Sequence, residues 1–198
     1  MTTPAGTTTD ASGVTTANPQ FLTLIYLDTW LHPDDPSWTW QELTYANFQQ
    51  SVATFDNVIG TRNPDLSAFK AHGGKILIWH GLADPLIFAQ GTINYYQRVE
   101  QVVGGVRAID SFARLFLAPG AGHCVSAAGP APANPLGDLV NWVQNGRAPD
   151  TILATTVDHT TNAVTMARPL CAYPFVARYQ GHGSTNDPRD FTCARTYR

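Results

Sequence analysis

The chain contains 198 residues, of which 43% are hydrophobic and 14% charged, and its formal net charge is −3. This length and composition predict one folded domain and exclude an intrinsically disordered chain. Basic residues form no cluster, which argues against a nucleic-acid partner. No apolar run approaches the roughly 20 residues that cross a bilayer, so no membrane partner is expected.

The first 59 residues divide into two segments of different composition. Residues 1–20 are rich in threonine, alanine, glycine and proline, and they predict a flexible leader without the basic start and apolar centre of a signal peptide. Residues 21–59 are rich in tryptophan and begin as an irregular stretch. Apolar residues at steps of three and four then predict a helix over about 41–58.

An alternation of helices and strands begins near residue 60. A turn at 63–65 precedes a short helix predicted over 65–69, with Asp65 as its cap. The apolar run in "GGKILIWHGLADPLI" predicts a strand buried on both faces, followed by a loop that opens at His80. We expect His80 to be a hydrogen-bonded residue at the start of that loop, with a role in shaping a pocket as the alternative.

Two more helices and one more strand follow. "GTINYYQRVEQVVGG" predicts a helix that ends at the double glycine, "FARLFLAPGAGHC" predicts a second apolar strand, and "NPLGDLVNWVQNGRAP" predicts an amphipathic helix. This order is typical of a layered α/β sheet, whose ligands bind beyond the carboxyl ends of its strands. The loops at those ends carry Asp84 and His123, which makes them the candidate site.

The chain changes character after residue 150. "TILATTVDHTTNAVTMARPL" predicts a pair of strands around a turn at "TTN", and an irregular stretch follows. Cys124, Cys171 and Cys193 are odd in number, so one bridge would leave one free or intermolecular thiol. The histidines outside the candidate site lack partners at metal-ligand spacing, and we expect neither a metal nor a cofactor.

Asp84 and His123 match the last two members of a nucleophile–acid–histidine triad in the α/β-hydrolase order. The carboxylate would fix the imidazole tautomer, so that the other ring nitrogen can take a proton from a nucleophile. On the pattern alone, a turn aspartate and a loop histidine remain an equal alternative. No serine lies in the G-x-S-x-G turn of this fold, so the nucleophile is unknown, with Ser126 and Cys124 as the nearest candidates.

Several long segments resemble the carboxyl-terminal portion of the tannase and feruloyl esterase family. They are "NPDLSAFKAHGGKILIWHGLADPLI", "FARLFLAPGAGHC", "LVNWVQNGRAPDTILAT" and "RPLCAYPFVARYQGHGS". The resemblance runs from about residue 60 to 194, with a looser fit over 21–59. It implies a serine-type carboxylic ester hydrolase, secreted or periplasmic, that acts on a small aromatic or short-chain ester.

The resemblance also implies how the chain is organised. Residues 60–198 correspond to the carboxyl-terminal part of the hydrolase domain, a partial α/β-hydrolase-like sheet flanked by helices with an irregular, disulfide-bearing tail. Residues 21–59 correspond to the returning end of a lid. Trp30, Trp38 and Trp40 in this lid-like segment either line an aromatic substrate pocket or simply pack, and both interpretations stay open.

Individual residues take family roles by the same resemblance. Asp84 resembles the triad acid and His123 the triad base. Cys124 resembles a cysteine that is bridged to another cysteine beside the nucleophile, which would leave it unpaired here. Cys171 and Cys193 resemble a structural disulfide.

The family's amino-terminal half has no counterpart in these 198 residues, although it carries the nucleophile, the oxyanion-hole loop and a calcium site. Three hypotheses follow. In the first, the chain is an active hydrolase that uses a local nucleophile or water. In the second, it is a fragment that is completed by an amino-terminal half, another chain or a second copy of itself. In the third, it is an inactive module that binds aromatic ligands. Absent strands would expose apolar surface, so the second hypothesis predicts a homo-oligomer.

Overall fold

The computed structural model describes residues 6–18, 21–125 and 127–195, which fall into two compact units. The first unit ends at Thr61 and the second begins at Arg62. This division lies close to the boundary at 59–60 that we predict between the lid-like segment and the hydrolase segment. Within the described ranges, no helix is long and apolar enough to span a bilayer.

The first unit opens with a hairpin of strands β1 (Gly6–Thr9) and β2 (Thr15–Asn18). The turn is held by Asp10, whose Oδ1 accepts hydrogen bonds from the backbone N–H groups of Ser12 and Val14. Regular structure therefore replaces part of the predicted flexible leader, because β-branched threonines favour extended backbone and aspartate closes a turn. Residues 1–5 and 19–20 of that leader lie outside the described residues.

The remainder of the first unit is helical. Helix α1 (Phe21–Ile25) continues into a π-helical segment (Tyr26–Leu31), and a 3₁₀ turn (Trp40–Glu42) precedes helix α2 (Tyr45–Ile59). Helix α2 confirms the helix that we predict over 41–58. It begins later than predicted because the Thr44 side chain accepts the N–H of Asn47, which caps the first turn.

The second unit is a mixed arrangement of helices and short sheets. Its helices are α3 (Ser67–Ala71), α4 (Ala89–Val103), α5 (Val106–Asp110), α6 (Pro135–Asn145) and a 3₁₀ turn (Pro188–Asp190). Its strands are β3 (Ile76–Gly81), β4 (Ala113–Ala118), β5 (Ala131–Pro132), β6 (Thr151–Val157), β7 (Val164–Cys171), β8 (Phe175–Tyr179) and β9 (Phe191–Arg195). Every strand and helix predicted after residue 60 is present, but the tail that we predict as irregular also contains the paired strands β8 and β9.

The prediction for the first short helix needs a correction. Helix α3 begins at Ser67, and Leu66 stands at its cap position. Asp65 lies one residue earlier, where its Oδ1 accepts the N–H of Ser67 at 3.0 Å. Asp65 therefore supports the turn before the helix and is not the cap residue itself.

Strands β3 and β4 form a parallel pair, in register from Ile76 opposite Ala113 to Gly81 opposite Ala118. Strand β4 is almost wholly buried, whereas β3 is half-buried over most of its length. The prediction that β3 is buried on both faces is therefore met only in part. Among the described residues, β4 is the only strand paired with β3, so the other edge of β3 has no described strand partner.

Strand β4 separates two apolar clusters, because alternate side chains of a strand point to opposite faces. Leu115 belongs to the cluster that contains Tyr96 and Val99 of α4. Phe116 belongs to the cluster formed with Ile152 of β6 and Leu170 of β7. The strand that leads to His123 is therefore fixed by packing on both faces.

The end of the chain is tied to this core. The N–H of Tyr173 donates to the carbonyl of Leu115 at 2.8 Å, which places the segment after β7 beside β4. Strands β8 and β9 form an antiparallel hairpin, and a disulfide joins Cys171 at the end of β7 to Cys193 in β9. The structure thus contains the disulfide that the family resemblance implies.

Candidate active site

Two loops meet at the carboxyl ends of β3 and β4. The loop after β3 contains Asp84, and the loop after β4 contains His123. The N–H groups of Leu82 and Ala83 donate to the carbonyls of Ala118 and Ala121, at 2.9 and 3.0 Å. The parallel register thus continues past the strands and brings the two loops together.

Close approach of the two loops requires a glycine at the end of β3. A Cβ atom at Gly81 would overlap the backbone carbonyls of Ala121 and Gly122. Gly81 is also buried, so a side chain at this position has no route to solvent. The glycine in "WHGLAD" is therefore needed for the loops to touch.

The loop after β4 is closed by its own backbone. The N–H of Gly129 donates to the carbonyl of Gly120 at 2.9 Å, and the N–H of Gly122 donates to the carbonyl of Val125 at 3.1 Å. Cys124 has a φ of 58°, in the left-handed region that most side chains avoid. This conformation makes a tight turn directly after His123, and the turn directs His123 toward the loop that contains Asp84.

Asp84 and His123 form a direct hydrogen bond. Nδ1 of His123 lies 2.9 Å from Oδ2 of Asp84, and it donates, since a carboxylate can only accept. The Asp84 side chain is 6% exposed, whereas the His123 side chain is 38% exposed. A buried acceptor thus orients an imidazole that stays accessible.

The second carboxylate oxygen of Asp84 is held by its own loop. Oδ1 accepts the N–H groups of Leu86 and Ile87 at 2.8 and 3.0 Å. Burial acts to raise the pKa of Asp84, but the hydrogen bonds from Ile87, Leu86 and His123 outweigh it and lower the pKa. Asp84 is therefore ionised at neutral pH, with both oxygens engaged.

This arrangement leaves Nε2 as the chemically active atom of His123. With the proton on Nδ1, Nε2 carries a lone pair. Among residues 6–18, 21–125 and 127–195, no hydrogen bond to Nε2 of His123 is present. The pair has the geometry of the acid and base of a nucleophilic triad.

The predicted nucleophiles differ in what the structure describes. Cys124 is an exposed free thiol next to His123 in the chain. Ser126 lies outside the described residues. Neither candidate is brought to Nε2 by a described contact, so the identity of the nucleophile stays a prediction.

The three tryptophans predicted for a substrate pocket lie in the first unit. Trp30 packs against Tyr26 and Phe55, with ring centroids 6.1 and 5.7 Å away, and it remains 46% exposed. Trp38 stacks on the imidazole of His32 at 4.1 Å. Trp40 begins the 3₁₀ turn and is half-buried. Their contacts are local, and their role in a pocket stays a prediction.

Sequence reasoning missed the backbone groups that hold Asp84. The signal was present in "ADPLI", since an aspartate before proline commonly accepts backbone N–H groups two and three residues later.

The sequence predicts that His80 is hydrogen-bonded at the start of the loop. In the structure both of its ring nitrogens have partners, Thr92 Oγ1 at 2.8 Å and the carbonyl of Ile87 at 2.9 Å.

Within the described part of the chain, no group of three or more histidine, cysteine or acidic residues is arranged to hold a metal ion.

A parallel strand pair with an acid after one strand and a histidine after the next has the chain order of the last two triad members of an α/β-hydrolase. The family model described as tannase and feruloyl esterase matches residues 28–194. The chain belongs to this tannase and feruloyl esterase family.

Two relatives of known name illustrate the similarity. A probable feruloyl esterase from Arthroderma benhamiae is 47% identical over 161 residues, which cover 78% of this chain and 30% of the relative. The mono(2-hydroxyethyl) terephthalate hydrolase of Piscinibacter sakaiensis is 38% identical over 161 residues, covering 81% and 25%. This chain therefore spans less than a third of the length of either relative.

Solved structures agree with the fold. An esterase from Aspergillus oryzae superposes with a TM-score of 0.80 at 26% identity, covering 89% of this chain and 38% of the other. Feruloyl esterase B from Aspergillus oryzae gives a TM-score of 0.77 at 29% identity with the same coverage.

Proposed function

We propose that this chain provides the acid and the base of a carboxylic ester hydrolase, with Asp84 as the acid and His123 as the base. The observation that carries the proposal is the 2.9 Å hydrogen bond between His123 Nδ1 and Asp84 Oδ2. It directs the Nε2 lone pair away from a buried carboxylate and toward the exposed side of the imidazole.

The reaction follows from this geometry. Nε2 of His123 accepts the proton of a serine hydroxyl while the oxygen attacks the ester carbonyl, and the Asp84 carboxylate stabilises the imidazolium. The imidazolium then returns its proton to the alkoxide leaving group, which departs as an alcohol. Water, deprotonated by the same nitrogen, hydrolyses the acyl intermediate and releases the carboxylic acid.

We infer that the serine is supplied by a polypeptide segment additional to these 198 residues. No serine of the chain stands in a G-x-S-x-G turn. The relatives are several times longer than the matched region. A local nucleophile at Cys124 or Ser126 is the alternative, but neighbours in sequence rarely reach the same imidazole nitrogen.

The proposed substrate is a small ester of an aromatic acid. The names of the relatives, feruloyl esterase and mono(2-hydroxyethyl) terephthalate hydrolase, support this class. Trp30, Trp38 and Trp40 are the candidate aromatic contacts. We further propose an exported protein, because the Cys171–Cys193 disulfide is suited to an oxidising compartment.

Ester hydrolysis in a reconstituted system tests the proposal. The chain is mixed with a separately produced amino-terminal half of a family member, and release of ferulate from methyl ferulate is measured. We expect hydrolysis only in the mixture, and its loss in His123→Ala and when the serine of the added half is replaced by alanine. Hydrolysis that survives His123→Ala contradicts the proposed base. Hydrolysis by the chain alone that is lost in Cys124→Ala or Ser126→Ala contradicts the proposed nucleophile.

Self-association is a second candidate function, favoured by apolar side chains around the site. Leu82, Ile87, Phe88 and Val125 are exposed, and Phe88 retains 79% of its accessible surface. Grouped apolar surface of this kind commonly recruits a partner. Light scattering after gel filtration distinguishes the two cases, since a second copy on this face gives a dimer that Phe88→Glu dissociates.

A further inference from the structure

A second imidazole lies beside the carboxylate of Asp84. His80 is the penultimate residue of β3, and its side chain is 11% exposed. Its Nε2 is 3.5 Å from Oδ2 of Asp84, the same oxygen that accepts from His123. This distance exceeds that of a good hydrogen bond, so the stronger contacts of His80 have to be sought elsewhere.

Both ring nitrogens of His80 have better-placed partners, and these assign its tautomer. Nε2 lies 2.9 Å from the carbonyl of Ile87, which can only accept, so Nε2 carries a proton. Nδ1 lies 2.8 Å from Oγ1 of Thr92 in the first turns of α4, and the neutral ring accepts the hydroxyl proton there. His80 thus links β3, the loop after it and helix α4.

Ile87 connects His80 to Asp84. Its carbonyl accepts from His80, and its N–H donates to Oδ1 of Asp84 at 3.0 Å. The segment that His80 fixes is therefore the same segment that fixes one carboxylate oxygen. With Oδ1 held in this way, Oδ2 is directed at Nδ1 of His123.

Apolar packing at Ile87 and Phe88 contributes little to holding this segment, although Leu86 is half-buried. Ile87 is 56% exposed and Phe88 is 79% exposed. Phe88 occupies the cap position of α4 without a side-chain hydrogen bond to the helix. Polar contacts therefore contribute to the local order, and the contact from Nε2 of His80 ties the carbonyl of Ile87 to β3.

We propose that His80, supported by Thr92, is a positioning residue that orients the Asp84 carboxylate toward His123 through the carbonyl of Ile87. Its relevance to turnover rests on the proposed function, but the orientation itself is a property of the folded chain. The charged and titratable groups that face His80 among the described residues are Asp84 and, across it, His123.

A matched pair of variants tests this role. His80→Gln places an amide N–H near the position of Nε2, whereas His80→Asn places its amide near Nδ1 and cannot reach Ile87. The chain is labelled uniformly with ¹⁵N, which covers its six histidines, and the Nδ1 proton of His123, shifted downfield by the carboxylate, is observed by NMR. Amide exchange of Leu86 and Ile87 is measured on the same proteins.

We expect His80→Asn to broaden or remove the His123 Nδ1 proton signal and to accelerate exchange at Ile87 by about tenfold. We expect His80→Gln to retain both properties near the wild-type values. Wild-type behaviour of His80→Asn overturns the proposal. If the two variants lose the Nδ1 proton signal and the protection of Ile87 to the same extent, the assignment of Nε2 as the donor is overturned. In that case the amide N–H of the glutamine fails to replace the N–H of Nε2.

Thr92→Val gives a second test that keeps the imidazole in place and applies even where His80→Asn fails to fold. Loss of the hydroxyl leaves Nδ1 of His80 without its donor, so exchange at Ile87 should rise about threefold while far-UV circular dichroism is unchanged. Unchanged exchange overturns the proposal. None of these measurements needs turnover, so a failure of ester hydrolysis with intact NMR signals speaks against the proposed function alone.

Discussion

Nδ1 of His123 and Oδ2 of Asp84 lie 2.9 Å apart, although the two residues are separated by a complete helix–helix–strand segment of the chain. Their contact follows from the parallel pairing of β3 and β4, which brings the ends of both strands to one edge. The loops after the strands then need only a few residues to meet.

Asp84→Asn should abolish most of the hydrolysis in the reconstituted system while leaving the fold intact. The amide oxygen can still accept from Leu86 and Ile87. The neutral side chain no longer stabilises an imidazolium, however, and it favours the wrong tautomer of His123. We expect kcat/KM to fall by roughly 10³- to 10⁴-fold, by analogy with the same change in a serine protease, and the far-UV circular dichroism spectrum to be unchanged.

The control for this prediction is Asp138→Asn. Asp138 lies in the first turn of α6 and takes no part in the proposed reaction. The kcat/KM of the Asp138→Asn variant should remain within about twofold of the wild-type value. A similar loss of activity in the two variants would mean that the loss in Asp84→Asn reflects a general effect of removing a carboxylate.

The pH dependence of stability should also contain a contribution from Asp84. Its pKa is lowered in the folded chain from an ordinary value of 3.8. A lowered folded-state pKa stabilises the fold above the ordinary value, and this stabilisation is lost as the pH falls through the folded-state pKa. The free energy of unfolding of the wild type should therefore approach that of Asp84→Asn as the pH falls below 3.8.

Urea unfolding from pH 6 to pH 2.5 measures this difference. Other aspartates with lowered pKa values, such as Asp10 and Asp187, titrate in both proteins and cancel in the comparison. A wild-type advantage that stays constant over this range would contradict the stabilised carboxylate. If the difference in free energy of unfolding between wild type and Asp84→Asn grows toward low pH, the folded-state pKa of Asp84 would have to be raised instead.

Pattern was sufficient to predict β3, β4, β6 and β7 and the placement of Asp84 and His123 at one edge of the sheet, because both depend on features that a sequence records directly. The apolar runs before His80 and before Pro119 form β3 and β4, and the residues that follow such runs lie at the sheet edge. The hairpin at 6–18 was missed because threonine-rich composition suits both a flexible segment and exposed strands.

The exact partners in the supporting contacts were beyond prediction for a different reason, although an aspartate before proline is a general signal for an acceptor of backbone N–H groups. The bonds from Leu86 and Ile87 to Asp84, and from His80 to Ile87, depend on the conformation of a short loop. Hydrophobic periodicity carries no information about loop conformation. The half-buried state of β3 likewise depends on which strands lie beside it. The sequence of the strand itself does not specify those neighbours.

Gly81→Ala should separate the two loops. The added methyl group meets the backbone carbonyls of Ala121 and Gly122, which cannot rotate away as a flexible side chain would. We expect a loss of about 1–3 kcal/mol in the free energy of unfolding. The His123 Nδ1 proton signal should weaken as well, since the hydrogen bond to Asp84 spans the same loops.

Gly91→Ala is the matched control for this glycine substitution. A methyl group at Gly91, in the first turn of α4, meets nothing within 4 Å. Alanine is the better helix former, so this variant should be more stable by up to about 1 kcal/mol. Chemical denaturation of both variants gives the comparison, and destabilisation of Gly91→Ala to the same extent as Gly81→Ala would contradict the close contact at Gly81.

Loss of the Cys171–Cys193 disulfide should destabilise the second unit without involving Cys124. The bridge closes a loop with a sequence separation of 22 and ties the β8–β9 hairpin to β7. A loop of this size predicts a loss of about 3 kcal/mol from the greater freedom of the unfolded chain. We expect Cys171→Ser with Cys193→Ser to lower the denaturation midpoint, and a reductant to do the same to the wild type.

Cys124→Ser, which removes an exposed free thiol, is the control. It should leave the midpoint unchanged and should abolish rapid thiol labelling of the native chain. A wild-type midpoint that is insensitive to the reductant, while both bridge thiols become available for labelling, would mean that the disulfide contributes little to the stability of the fold.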